Sequence, residues 1–103
     1  MPTRFWSDDE LIVLLAFYFR YPRLSQTNSH LDCQRLANVL GRTAGAVDHQ
    51  LRNIDFDLVR RSADRHCSQR LASLLSRYKD NLPSLYKDAN EVLDSNNWNF
   101  PHF

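Results

Sequence analysis

The sequence predicts an all-α protein of about five helices: a three-helix core, two of its members joined by a tight turn, followed by a C-terminal helical pair. Two observations carry this. Apolar residues recur at spacings of three and four along most of the chain, which is the helical period. Only two glycines and four prolines occur in 103 residues, too few for a turn-rich all-β fold. That length makes one domain with a core of its own. A content of 43% hydrophobic and 24% charged residues is ordinary for a globular protein. Six Phe, four Tyr and two Trp promise an aromatic core. The chain divides into a core unit (1–57), C-terminal helices (58–95) and a tail (96–103), with no repeat or low-complexity stretch.

The first helix starts at a capping box, Ser7 with Glu10 three residues on, and Asp8 and Asp9 suit the positive end of its dipole. Its body, LIVLLAFYFRY, is apolar on nearly all sides and predicts a central buried helix that Pro22 ends. Trp6 is placed to pack back onto it. Residues 22–29, PRLSQTNS, read as a polar connection; Arg23, Ser25, Gln26, Thr27 and Asn28 are the residue types that touch phosphates, and more often such a stretch is only solvated. Ser29 is the expected cap of the second helix.

In that helix Leu36, Ala37 and Leu40 share one face. Gly41 follows as the residue that most readily turns left-handed at a helix end, and Thr43 can cap the next helix through its hydroxyl. In the third helix Val47, Leu51 and Ile54 form the apolar stripe. At about 100° per residue the opposite face carries Gly45, Asp48, His49 and Arg52. Beyond it, Phe56, Leu58 and Val59 are expected to cover the third helix's end. A fourth helix groups Cys67, Leu71, Leu74, Leu75 and Tyr78, with Arg65, Arg70 and Arg77 elsewhere on it. Pro83 breaks the pattern, Ser84 caps, and a fifth helix presents Leu85, Ala89, Val92 and Leu93. In the tail, SNNWNFPHF, Trp98 and Phe100 either pack on the core or mark a surface for a partner.

Net charge is only +1, a weak signal for nucleic acid. Yet residues 33–70 hold seven Arg against four Asp, and 11 of the 13 basic residues are Arg, the better reader of guanine edges and phosphates. Cys33 and Cys67 form no CxxC pair and read as reduced structural thiols. His30, His49, His66 and His102 make no HxH or HxxxH pair, no glycine-rich phosphate loop exists, and no zinc site is spaced correctly. Adjacent His66 and Cys67 diverge on a helix and form no dyad. The expectation is therefore a chain without catalysis, metal, cofactor or small-molecule substrate. MPTRFWSDDE lacks the character of a signal peptide, and the longest apolar run, Leu11 to Phe19, is too short to span a membrane, so a cytoplasmic location is expected.

Two helices joined by a three-residue turn, the second polar outside, make the layout of a helix-turn-helix reader of duplex DNA, with residues 43–54 as the recognition helix. The candidate contacts are Arg42, Thr43 and Gly45 at the turn, Asp48, His49, Arg52 and Asn53 on the helix, and Arg60 and Arg61 as a second phosphate patch. Each has a structural rival. Arg42 can form a surface salt bridge with a nearby Asp, Asp48 can pair with Arg52 four residues on, and Asn53 can cap the helix.

WSDDELIVLLAFYF followed by RLANVLGRTAGAVDHQLRNIDF resembles the N-terminal module of many HNH-type restriction endonucleases and related bacterial and phage proteins. The matching positions are Trp6, Ser7, Glu10 and Leu11, then Leu36, Leu40, Arg42, Thr43, Ala46, Val47, Leu51 and Asn53. The likeness covers about the first 57 residues. The Gly-Arg-Thr-x-x-Ala-Val segment is also similar to Myb-type helices. The resemblance implies a Myb- or homeodomain-like three-helix core that reads DNA, in some relatives at modified cytosine. No HNH motif follows here, and Asp48-His49-Gln50 stands where relatives often carry Lys or Arg. Rival readings are a helical protein-interaction domain and a small dimeric regulator with helix five and the tail as its interface.

Overall fold

The computed structural model describes residues 5–55 and 69–103. Among them the chain is all-helical: α1 (Asp8–Arg20), a short 3-10 turn (Arg23–Gln26), α2 (Leu31–Leu40), α3 (Ala44–Asp55), α4 (Gln69–Tyr78) and α5 (Leu82–Ser95). None of these helices is long and apolar enough to cross a membrane.

The start of α1 follows from its sequence. The Ser7 hydroxyl accepts the Glu10 N–H at 3.1 Å while the Ser7 N–H donates to the Glu10 carboxylate at 3.0 Å. Both orphan donors are thus satisfied at once. Leu11, Val13, Leu14, Leu15, Ala16 and Phe17 are all buried, which a helix manages only when packed on several sides. Accordingly α3, α4 and α5 all pack against α1.

The far end of α1 departs from expectation. Residues 22–29 do not merely connect. The 3-10 turn folds back, burying Ser25 and Gln26, and the Gln26 amide donates to the carbonyls of Tyr18 (2.9 Å) and Tyr21 (3.1 Å). A helix ends with carbonyls that lack intrahelical partners, and Gln26 supplies two donors to that end. The Ser25 hydroxyl meanwhile donates to Asp32 in the first turn of α2 at 3.1 Å. The Ser25 hydroxyl and the Gln26 amide are therefore engaged within the fold, where the sequence suggested phosphate contacts.

Capping also differs in detail at two other starts. His30, not Ser29, caps α2: its Nδ1 accepts the Asp32 N–H at 3.1 Å. Asn81, not Ser84, caps α5; its side chain accepts the Ser84 N–H, and Pro83 sits inside the first turn. Proline is tolerated there because its missing N–H is one of the helix's orphans.

The C-terminal pair closes the other side. Leu71, Leu74, Leu75 and Tyr78 of α4 and Leu85, Ala89 and Leu93 of α5 join the α1 core. The Tyr78 hydroxyl donates to Asp88 at 2.6 Å across the pair. Arg70 ties α4 to the start of α1 through Asp8 (3.2 Å) and the Trp6 carbonyl (3.1 Å). The tail returns to α1: Phe100 is buried and Phe103 packs beside it, their rings grouped with Phe17 and Tyr21. The Phe103 N–H donates to Asn90 at 2.7 Å. Two of the tail's aromatic rings are thus part of the fold rather than a surface held out to a partner.

Candidate nucleic-acid interface

The turn between α2 and α3 forms as its residues require. Gly41 adopts φ 68°, the left-handed conformation that a Cβ disfavours. The following Arg42 N–H donates to the Ala37 carbonyl at 2.9 Å, closing α2. Thr43 then caps α3, its hydroxyl accepting the Ala46 N–H at 3.1 Å. The stripes Leu36–Ala37–Leu40 and Val47–Leu51–Ile54 are buried, and α2 packs on α3. Helix α3 begins one residue later and ends one residue later than 43–54.

The candidate residues then separate into two groups. Arg42 is committed to the interior. Its Nε donates to Glu10 Oε2 at 2.6 Å, and one Nη donates both to Glu10 Oε1 (2.9 Å) and to the Phe5 carbonyl (2.7 Å). The guanidinium stacks on Trp6, 3.9 Å from the ring centroid, and its side chain is only 8% exposed. Glu10 feels opposing effects. Burial pushes its carboxyl up, but the Arg42 hydrogen bond, the Ser7 N–H and the Arg42 charge together hold it below the ordinary value. Assigning Arg42 to a phosphate is corrected accordingly: its donors are spent on joining the turn to the start of α1.

Asp48 is likewise turned inward, its side chain 8% exposed. One oxygen accepts the Asn28 backbone N–H at 3.1 Å and the other accepts Arg52 Nε at 2.9 Å. The helical wheel puts Asp48 on the outer face, but there the Asn28 backbone and the Arg52 side chain meet its carboxylate and leave it buried. Both of its oxygens are engaged within the chain.

Gly45, His49 and Arg52 are exposed on α3, and Thr43 is exposed at its start. Asn53 is half-buried and donates to Gln50 at 3.3 Å, and α3 continues past it to Asp55. Asn28, Gly45, Asp48, His49 and Arg52 line one open concavity of about 210 Å³. Beside it Gln26, Thr27, Asp48, Leu51, Arg52 and Asp55 line a second of about 230 Å³. Arg60, Arg61, Phe56, Leu58, Val59 and Cys67 lie outside the described residues. Among the described residues no group of three or more His, Cys, Asp or Glu is placed to hold a metal ion.

The Asn28 backbone meets the flank of α3 at Asp48. Three contributors were not singled out from sequence. Arg35, Gln34 and Asn38 are exposed on α2 and line a shallow surface running to Ala44 at the start of α3. The signal for Arg35 was available: it lies off the Leu36–Ala37–Leu40 stripe.

Cys33 is fully buried under α3, its thiol donating to the Ala44 carbonyl at 3.8 Å. Burial first, and the Asp48 charge second, push it up to about 11. Only the thiolate is nucleophilic. In the Cys67→Ser protein, Cys33 should therefore resist iodoacetamide at pH 8 and label promptly in denaturant; prompt labelling of the native chain would show the site to be open.

No match to this chain emerges from the known protein families, the curated proteins or the solved structures.

Proposed function

We propose that this chain is a module that binds double-stranded DNA, placing the outer face of α3 in the major groove, with His49 and Arg52 meeting base edges and Arg35 and Thr43 meeting the backbone. The observation that carries the reading is Gly45. Glycine in a helix is less stable than alanine, by about 0.5–1 kcal/mol in the interior, and Gly45 stands in the first turn of α3. Its φ is not positive, and a Cβ built there would meet nothing nearer than the Thr43 hydroxyl at 4.0 Å. Nothing described within the chain requires a glycine. A surface that approaches this face closely from outside would require one. Polar His49 and Arg52, four and seven residues on, extend the same face. The resemblance of 1–57 to DNA-reading modules supports the same reading.

With the turn's Arg42 engaged by Glu10 and net charge near zero, the overall field contributes little. Binding would rest on a few directed contacts, and its salt dependence would be shallow for a DNA-binding protein. The test is a fluorescence-anisotropy titration against plain, methylated and hydroxymethylated duplexes, from about 50 to about 200 mM salt. Gly45→Ala should hold or raise stability, by at most about 0.5–1 kcal/mol, while weakening duplex binding. Arg52→Ala should weaken binding about tenfold, a loss of about 1.4 kcal/mol. Gly45→Ala with unchanged affinity would remove the main support. No binding to any duplex at low salt would leave the helical protein-interaction domain as the better reading.

A further inference from the structure

The turn and α3 each hold an arginine on a carboxylate, in contrasting ways. Arg42 is consumed: Nε and Nη both meet Glu10, the side chain is buried, and the guanidinium is sandwiched against Trp6. That is the geometry of a structural ion pair. Arg52 is presented: its side chain is 66% exposed and it bonds Asp48 through Nε. Bonded to Asp48 through Nε alone, the guanidinium keeps its end-on edge, one N–H from each Nη, out of that hydrogen bond. That edge is the fork whose parallel N–H bonds match the O6 and N7 acceptors of guanine.

Asp48 is itself fixed. An ordinary helix-surface pair four residues apart involves two mobile side chains and fixes neither of them. Here one partner is buried, and its second oxygen is anchored by the Asn28 N–H from a segment 20 residues earlier. That segment is in turn held by Gln26 on the end of α1 and by Ser25 on α2. Gly45, Asp48, His49 and Arg52 follow one another at positions i, i+3, i+4 and i+7, so the anchored carboxylate lies directly behind the exposed arginine.

We propose that Asp48 is a positioning residue that locks Arg52 from behind, so that its Nη fork reads guanine of a G·C pair in the major groove. This rests on the DNA-binding reading and adds the base that is read and the device that makes the reading selective. An exposed carboxylate on this face would repel phosphate at every sequence. A buried one, already neutralised by an Asn28 N–H and an Arg52 Nε–H, spends its charge on orientation. A side chain that would otherwise sample many rotamers is held near the geometry in which two hydrogen bonds to guanine form together, which penalises any pair lacking O6 and N7 side by side.

The test uses the whole chain. A preferred duplex is selected from a randomised pool. Each position is then changed to the other three pairs, and anisotropy gives the affinity ratio for wild type, Asp48→Asn and Arg52→Lys. Wild type should prefer guanine at one position. Asp48→Asn should reduce that ratio about tenfold while its affinity for the disfavoured duplexes holds or rises. Arg52→Lys, on an exposed site that leaves the fold intact, keeps the charge but not the fork and should lose the same preference. If Asp48→Asn melts, Arg52→Lys decides by itself. Wild type binding without a guanine preference, or either folded variant keeping the wild-type ratio, overturns the assignment and leaves DNA binding standing. So does an equal loss by Arg52→Lys on every duplex, the signature of a phosphate contact. Wild type binding no duplex overturns both.

Discussion

Arg42→Ala is expected to destabilise the fold by about 3–5 kcal/mol, because it takes the buried guanidinium away from the buried Glu10 carboxylate. Glu10 and Arg42 are 9% and 8% exposed, so water replaces little of what is lost. The same change removes the guanidinium from the Trp6 ring and a hydrogen bond from the Phe5 carbonyl. A domain of this size has about 5–15 kcal/mol in all, so the variant should unfold at much lower urea. Trp fluorescence reports the event directly, since Trp6 is one of only two tryptophans. The double variant Glu10→Gln, Arg42→Ala should cost less than the sum of the singles, because neither half remains buried alone. A midpoint unchanged by Arg42→Ala would mean that the pair does not hold the turn to α1.

The pair also sets an acid limit. The Glu10 carboxyl lies below its ordinary value of 4.5 in the folded chain. A depressed carboxylate contributes stability that is fully present above its unfolded value and lost as pH falls through the folded one. Wild type should therefore lose stability below about pH 4.5 more steeply than Glu10→Gln, which has no proton to take up there. Parallel urea series down to about pH 3 read the difference.

Phe17→Ala is expected to cost about 3–5 kcal/mol and, beyond that, to loosen the tail. Phe17 is fully buried, stacked on Tyr21 at 4.4 Å and edge-on to Phe100 at 6.2 Å. Phe100 also meets Tyr21 and Phe103, so removing one ring takes the floor from under residues 100–103. Thermal melting measures the first effect. Limited proteolysis measures the second: cleavage near Trp98 should speed up relative to cleavage in α1. Phe17→Leu, which keeps much of the volume, should cost less than about 1.5 kcal/mol and spare the tail. Equal tail protection in Phe17→Ala would show that the Asn90 and His102–Asp94 contacts hold the tail without the aromatic cluster.

What was legible before folding was local. The Ser7–Glu10 box, the left-handed Gly41 and the Thr43 cap each close within about four residues, so their chemistry is written in neighbouring letters. The apolar stripes of α2 and α3 follow from the helical period alone. Caps that failed, Ser29 and Ser84, failed among competitors: His30 and Asn81 offer acceptors in the same short stretch, and local pattern does not rank them.

The sequence by itself determined the helices, the turn and the faces that must be buried, since these depend on spacing along one axis. It also narrowed the outer face of α3 to a few residues. Only the tertiary structure decided which of the polar candidates face outward. Arg42 meets Glu10 from 32 residues away and Asp48 meets Asn28 from 20 residues away. A helical wheel measures an angle about its own axis, whereas a polar group goes inside only where a distant segment arrives to satisfy its hydrogen bonds. Of the turn's and helix's two arginines, that condition took one into the core and left the other, braced by a buried carboxylate, on the surface.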